Sequence, residues 1–394
     1  MMGTTPRNKP HTGTDNNRSS SFWAESKHIA FICGVCVLLI FFYGRIGYWK
    51  SIFRFWDQVH YRAMAEAAPG LPTDILQPFT YRILGPYLAG LLPVSDMLGF
   101  YILSIAASIV LAAGFYLFLR YVRINPQTAT LTIVLFMLNW HFFGFTIWDY
   151  FQINDVLSMV YILVLMWAMF RQNWLVFGLM LSLGALTRET AFIMVPVAAV
   201  YLTEKKILKR EALRYILSLV PGLLLLVIIR ILIEPSGGEG PVAAFFKHGH
   251  KLKETGTWFD LLIRSVVPFS FIPFIFFGTT IEFLKDKKYL VAMFLLVLVS
   301  TFVASNNERL MAPTFIAFYW LLAYILQKDL KGKFIAAVLV ITAVTACYYR
   351  LFGRYYLPPK DILENLQYIG LWSATIFVIA IRLVRLPYKK VLHE

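Results

Sequence analysis

Charged side chains are scarce in this chain: they make up 15% of its 394 residues, against 59% apolar and 16% aromatic, where soluble domains run at about 25% charged and 45–50% apolar. That imbalance excludes an ordinary soluble domain and points to an integral membrane protein. Cysteine is scarcer still. Three thiols are too few for a disulfide framework, and Cys33, Cys36 and Cys347 all sit inside apolar runs, where they read as small hydrophobes. The "CGVC" of 33–36 is therefore neither a redox pair nor a metal site. Also missing are the local signatures of common hydrolases and nucleotide enzymes, since the sequence has no GxSxG, no HExxH and no Walker loop.

Long apolar runs are what the chain has instead. Spanning about 30 Å of hydrocarbon takes roughly 20 helical residues. Runs near that length lie at 97–119, 128–147, 215–233, 310–326 and 367–383; slightly shorter ones lie at 29–44, 156–170, 265–280, 289–304 and 334–349, extended by interfacial residues such as Tyr43, Tyr48 and Tyr289. The stretch 174–202 would make one helix of about 43 Å and is interrupted by "TRET" at 187–190. Two short helices or a re-entrant hairpin fit it better. Counted as two, the segments number about twelve, transmembrane or re-entrant, in an all-α polytopic chain. Residues 1–28, rich in Ser, Thr, Asn, Gly and Pro, predict a disordered tail, with a retained first helix behind it and one transmembrane domain over 29–394.

The net charge of +15 raises the question of nucleic acid until the charges are located. Alternate loops answer it. The segments 1–28, 120–127, 171–173, 203–214, 281–288, 327–333 and 384–394, with Arg382, hold 22 Lys and Arg against 8 acids. The other set, 45–96, 148–155, 187–190, 234–264, 305–309 and 350–366, holds 14 of each. Cytoplasmic loops carry the excess of Lys and Arg, so both termini are expected in the cytoplasm, the two long loops 45–96 and 234–264 outside, and no nucleic-acid partner is implied. The basic run "TEKKILKREALR" at 203–214 is accounted for by this topology without a further role. Arg230, inside an apolar run, supplies the remaining charge.

Polar motifs gather on the outer side. In "RFWDQVHYRAMAEAA", 54–68, apolar and aromatic residues recur at helical spacing from Phe53 to Met64, which predicts an amphipathic helix at the interface with Asp57, His60 and Tyr61 within about one turn. "QPFTYRILGPYLAGLLP", 77–93, is too short to span and carries Arg82. "WDYFQIND" adds Asp149 and Asp155, "TRET" adds Arg188 and Glu189, and "NNERLMAP" adds Glu308 and Arg309. A charge at the bilayer centre costs at least about 2.5–3.5 kcal/mol, so charges flanked this closely by apolar sequence are expected to share a pocket or pair with one another. A carboxylate beside a membrane surface, with arginines suited to phosphate, fits group transfer from a lipid phosphate: the acid takes a proton from an acceptor hydroxyl and the guanidinia receive the departing phosphate.

These motifs, in this order, resemble the GT-C class of membrane glycosyltransferases. "FWDQVHYRAMAEA" is similar to that class's first-loop motif, "PFTYRILGPYLAGLLP" to its Tyr-Arg and Pro segment, "GLMLSLGALTRETAFIMVP" to its Thr-Arg segment, and "NERLMAP" to its Glu-Arg segment near a late span. Gln58 stands where many mannosyltransferase relatives have Gly, and "TRET" replaces the commoner "TRP" type. The resemblance implies Asp57 as the catalytic base of an inverting transfer from a polyprenyl-phosphate sugar to a hydroxyl on a lipid, glycan or protein. It further implies that His60, Tyr61, Arg82, Asp149, Asp155, Arg188, Glu189, Glu308 and Arg309 bind substrate. No cofactor or metal is called for, and the expected location is a bacterial inner membrane with its active site on the periplasmic or extracellular side.

Each residue also has a plainer reading. Asp57 is adequately explained as a helix N-terminal acid or a partner of Arg54 or Arg62, His60 and Tyr61 as interface residues, and the arginines as partners of local acids. A transporter or flippase for lipid-linked glycan would also want basic groups among many spans, but it predicts mid-span polar residues and an internal repeat, and neither is evident. A polymerase or ligase of lipid-linked glycan, or an O-acyltransferase, is a nearer competitor.

Overall fold

A computed structural model of the chain describes residues 15–43, 57–70, 74–144, 147, 150–238, 240, 243, 246–247, 249–301, 307–352 and 360–391. Among these the secondary structure is helical, apart from one isolated bridge between Gln77 and Gly238. The helices of seven residues or more are α1 (Asp15–Tyr43), α2 (Asp57–Ala67), α3 (Leu84–Gly90), α4 (Asp96–Tyr121), α5 (Pro126–Met137), α6 (Ile153–Arg171), α7 (Trp174–Thr187), α8 (Met194–Glu204), α9 (Leu208–Leu232), α10 (Thr255–Leu262), α11 (Phe277–Leu284), α12 (Lys288–Ser300), α13 (Phe315–Lys328), α14 (Lys333–Phe352) and α15 (Lys360–Val391). Segments within or around α1, α4, α6, α9 and α15 are long and apolar enough to cross a membrane, and parts of α5, α7, α12 and α14 are shorter apolar helices. The chain is thus an all-helical, multi-pass membrane protein.

Among the described residues five helices are long and apolar enough to span unbroken, and others of the twelve expected transmembrane or re-entrant segments are shorter or interrupted. The run 128–147 shows why. Its helix α5 begins well, with Pro126 in the first turn and the Asn125 side chain accepting from the Thr128 amide at 2.8 Å. It stops at Met137 after 12 residues, about 18 Å. Asn139 then turns the backbone: its side chain accepts from the Phe142 amide at 2.9 Å and donates to the Ser265 carbonyl at 3.1 Å, opening a widened turn over Trp140–Gly144. The run 265–280 is broken into turns and a four-residue helix before α11, as Pro268 and Pro273 favour. The interruption in 174–202 falls where expected, between α7 and α8. The first helix starts at Asp15, inside the segment expected to be irregular.

Hydropathy does not separate the centre of the bundle from its rim. Both α6 and α9 include candidate spans, yet 72% of the residues in the α6 window are buried against 17% in the α9 window. The α9 helix lies against α7 through short side chains. A Cβ on Gly178 would come within 2.6 Å of the Ser218 carbonyl oxygen, and one on Gly222 within 3.1 Å of Leu181. These matched pairs make α7 and α9 parallel neighbours, packed as small residues allow in membranes.

The basic segments are joined to one another by contacts at one end of the bundle. Arg120 donates to Glu25 at 2.8 Å, the Asn125 amide to Gln327 at 2.7 Å, Arg210 to Gln172 at 3.0 Å and Lys205 to the Asp286 carbonyl at 3.5 Å. Lys328 pairs with Glu282, and Arg385 donates to the Asp329 carbonyl. The described charge-balanced loops gather at the other end.

Candidate functional site

At that other end, four segments far apart in sequence, joined by Arg230 from the last turn of α9, bring four guanidinia and two carboxylates to one place. Asp155 sits in the first turn of α6, a favourable position for an acid. One of its oxygens is gripped by Arg188, and the other lies 2.9 Å from the Arg309 Nε. Beside this triad runs a second: Glu189 lies 3.9 Å from the Arg82 Nε and 3.2 Å from an Arg230 nitrogen. Among the described residues each acid is flanked by two arginines.

Local structure explains how each group arrives. Arg188 is an extended residue between the end of α7 and the tight turn Glu189–Ile193, so the break in the apolar run turns its side chain inward. Arg82 follows the turn Phe79–Tyr81, and its carbonyl accepts from the Asn154 side chain at 3.1 Å. That contact requires a glycine at position 85, since a Cβ there would collide with the Asn154 amide. Arg309 belongs to a short helical turn, Asn307–Leu310.

The Arg82 guanidinium lies near the Phe79 ring, at 5.9 Å, and beside Tyr61. Burial works against its charge, but Tyr61, Glu189 and Asp155 outweigh burial and hold its pKa above the ordinary arginine value. On the outer flank Arg230 lies over the Tyr81 ring at 5.0 Å. Exposure rises along the cluster. The Asp155 and Arg188 side chains are 6% and 7% exposed, whereas Glu189 and Arg230 are 34% and 37% exposed, so the cluster opens on the Glu189–Arg230 side.

Of the residues singled out in the sequence, Arg82, Asp155, Arg188, Glu189 and Arg309 are brought together, with Tyr61 beside Arg82. His60 is placed elsewhere in the same neighbourhood, stacked on Phe79 at 4.7 Å between ring centres. Asp57 opens α2, four residues before Tyr61; its side chain, that of Glu308, and all of Asp149 lie outside the described residues. Arg230 was missed as a site residue. The signal was present in a guanidinium inside an apolar run, which is costly unless paired or facing a cavity, but its partner Glu189 is 41 positions away. Tyr81 and Asn154 were missed because their contacts are with elements distant in the sequence.

Asp155 is the hub of two arginines: one oxygen accepts from Arg188, and the other lies within ion-pair distance of Arg309 without a hydrogen bond from it. Among the described residues no group of three His, Cys, Asp or Glu side chains is arranged to hold a metal ion. Compared with protein-family models, with curated proteins and with solved structures, the chain finds no match in any of the three.

Proposed function

We propose that this chain is a membrane glycosyltransferase of the GT-C type, moving a sugar from a polyprenyl-phosphate donor to a hydroxyl acceptor with inversion, at an active site on the non-cytoplasmic face. The twelve-segment arrangement of that class and a bacterial inner-membrane location belong to the same proposal. The observation that carries it is the convergence of Arg82, Arg188, Arg230 and Arg309 on Asp155 and Glu189.

The chemistry follows from that convergence. As the acceptor oxygen attacks the anomeric carbon, its proton passes to Asp57, the bond from that carbon to the phosphate oxygen breaks, and the lipid phosphate leaves with one more negative charge. Guanidinia already fixed by Asp155 and Glu189 need no rearrangement to receive it, which is the condition under which electrostatic stabilisation accelerates a reaction. At an effective dielectric of about 20, each unit charge about 4 Å away contributes about 4 kcal/mol before desolvation. The apolar helices around the cluster suit the lipid tail.

The test incubates the purified protein, in lipid, with a panel of polyprenyl-phosphate sugars and glycan or lipid acceptors, for the native chain and Asp57→Asn. Transfer by the native chain and its loss in the variant, with melting unchanged, is the expected result. Transfer retained by Asp57→Asn would remove that residue as base, and no transfer from any donor would remove the reading.

A further inference from the structure

The parallel contact of α7 and α9 leaves a groove of about 800 Å³ on the rim of the bundle, open along its length. Its two ends differ in chemistry. At the basic end of the molecule it is lined by Arg171, Gln172, Asn173 and Arg214. Away from that end its walls are Leu175, Leu179, Leu217 and Pro221, while its floor is made of Gly178, Ser182 and Ser218, whose short side chains let the two helices touch. Asn173 to Ser182 and Arg214 to Pro221 rise about 10–14 Å, close to the depth of one leaflet of a hydrocarbon core about 30 Å thick.

The charge at the head of this groove is unbalanced. Glu211 is the acid beside it; it accepts from Arg210 at 2.8 Å and from the Trp174 indole at 3.1 Å, and lies 3.7 Å from Arg214. Arg171 lies over the Tyr121 ring at 4.9 Å and has no acid partner among the described residues. Three guanidinia therefore face one carboxylate. The Arg214 side chain is 75% exposed and Leu175 84% exposed, so both reach outward beyond the helix contact.

We propose that this groove binds an anionic phospholipid from the leaflet at the basic end of the bundle. Its phosphate sits between Arg171 and Arg214, and one acyl chain lies along Leu175, Leu179 and Leu217. Charge complementarity at the head, together with an apolar track one leaflet deep, selects this occupant over a soluble anion, which would leave the track empty. It also selects it over a zwitterionic lipid, which carries no net charge for the guanidinia to offset. The site is at the opposite end of the molecule from the arginine cluster and does not depend on the transferase reading.

Native mass spectrometry of the full chain in an uncharged detergent tests this, with four probes: long-chain phosphatidylglycerol, phosphatidylcholine with the same chains, dihexanoyl phosphatidylglycerol and glycerol phosphate. Long-chain phosphatidylglycerol should be held at least tenfold more tightly than the other three. R171Q/R214Q should retain one fewer phosphatidylglycerol and hold the tightest one about thirty-fold more weakly, which is about 2 kcal/mol. R382Q/R385Q, an equal loss of charge elsewhere at the basic end, should keep it. Equal retention of phosphatidylglycerol and phosphatidylcholine would overturn the proposal, as would glycerol phosphate binding as well as the lipid, or the two double variants behaving alike. If R171Q/R214Q does not fold, the ranking of the four probes on the native chain decides.

Discussion

Replacing Asp155 by Asn keeps the size of the side chain and removes the charge that Arg188 and Arg309 share. Both arginines are nearly enclosed, with side chains 7% and 14% exposed, so neither can turn to water for compensation. Breaking a buried pair by removing one partner costs about 3–5 kcal/mol, because the remaining charge stays buried. With an unfolding entropy of roughly 2.1 cal/mol/K per residue, a chain of this length loses about 4–6 °C in Tm for that cost. Thermal melting in detergent of the native chain, Asp155→Asn, Arg188→Gln and the double variant measures it. The double variant should be less destabilised than the sum of the singles, by about 0.5–3 kcal/mol, since residues of one ion network do not act independently. An Asp155→Asn protein melting within a degree of the native chain, or singles that add, would refute the buried hub.

Three further outcomes follow from the same geometry. Gly178→Leu should lower the melting temperature by an overpacking cost of about 1–3 kcal/mol, because its Cβ would come within 2.6 Å of the Ser218 carbonyl; an unchanged melt would contradict the close α7–α9 contact. Tyr61→Phe removes the hydroxyl beside Arg82 and should raise KM for the donor; equal KM would separate Tyr61 from the site. In a cysteine-free background, Leu91→Cys, 59% exposed at the charge-balanced end, should react with an impermeant maleimide on intact cells, and Lys206→Cys should not. The opposite pattern would reverse the orientation.

What could be read from the sequence was whatever depends on charge and on local breaks. The excess of basic residues in alternate loops gave their common end, because that bias follows the membrane itself. "TRET" marked the gap between α7 and α8 because a polar tetrapeptide cannot continue an apolar helix at that depth. Arg82, Asp155, Arg188 and Arg309 could be grouped because isolated charges beside apolar runs must find one another. The turn after Met137 could not be seen. The run 128–147 holds no Asp, Glu, Lys or Arg, and its break depends on Asn139 reaching Ser265, 126 positions away. Nor could hydropathy tell that α6 is central and α9 peripheral, since side chains facing protein and side chains facing lipid are equally apolar. Arg230 was obscured for the same reason: its place on the rim of the cluster is set by how α9 packs, which leaves no mark in the residues around it. For the run 203–214, charge alone was explained by topology, and only the groove between α7 and α9 gave Arg214 a further role.

The central claim is a division of labour, with Asp57 as the base and the arginine cluster receiving the lipid phosphate. The most direct test is the steady-state kinetics of sugar transfer by the native chain, Asp57→Asn and Arg230→Gln, varying the polyprenyl-phosphate donor. Removal of a general base costs about 10²–10⁴-fold, so Asp57→Asn should lose that factor in kcat with KM for the donor nearly unchanged. Arg230→Gln, at the half-exposed mouth of the cluster, should raise KM for the donor and leave most of kcat. If Asp57→Asn raises KM with kcat intact, or Arg230→Gln leaves both constants unaltered, the assignment of base and phosphate receptor is wrong.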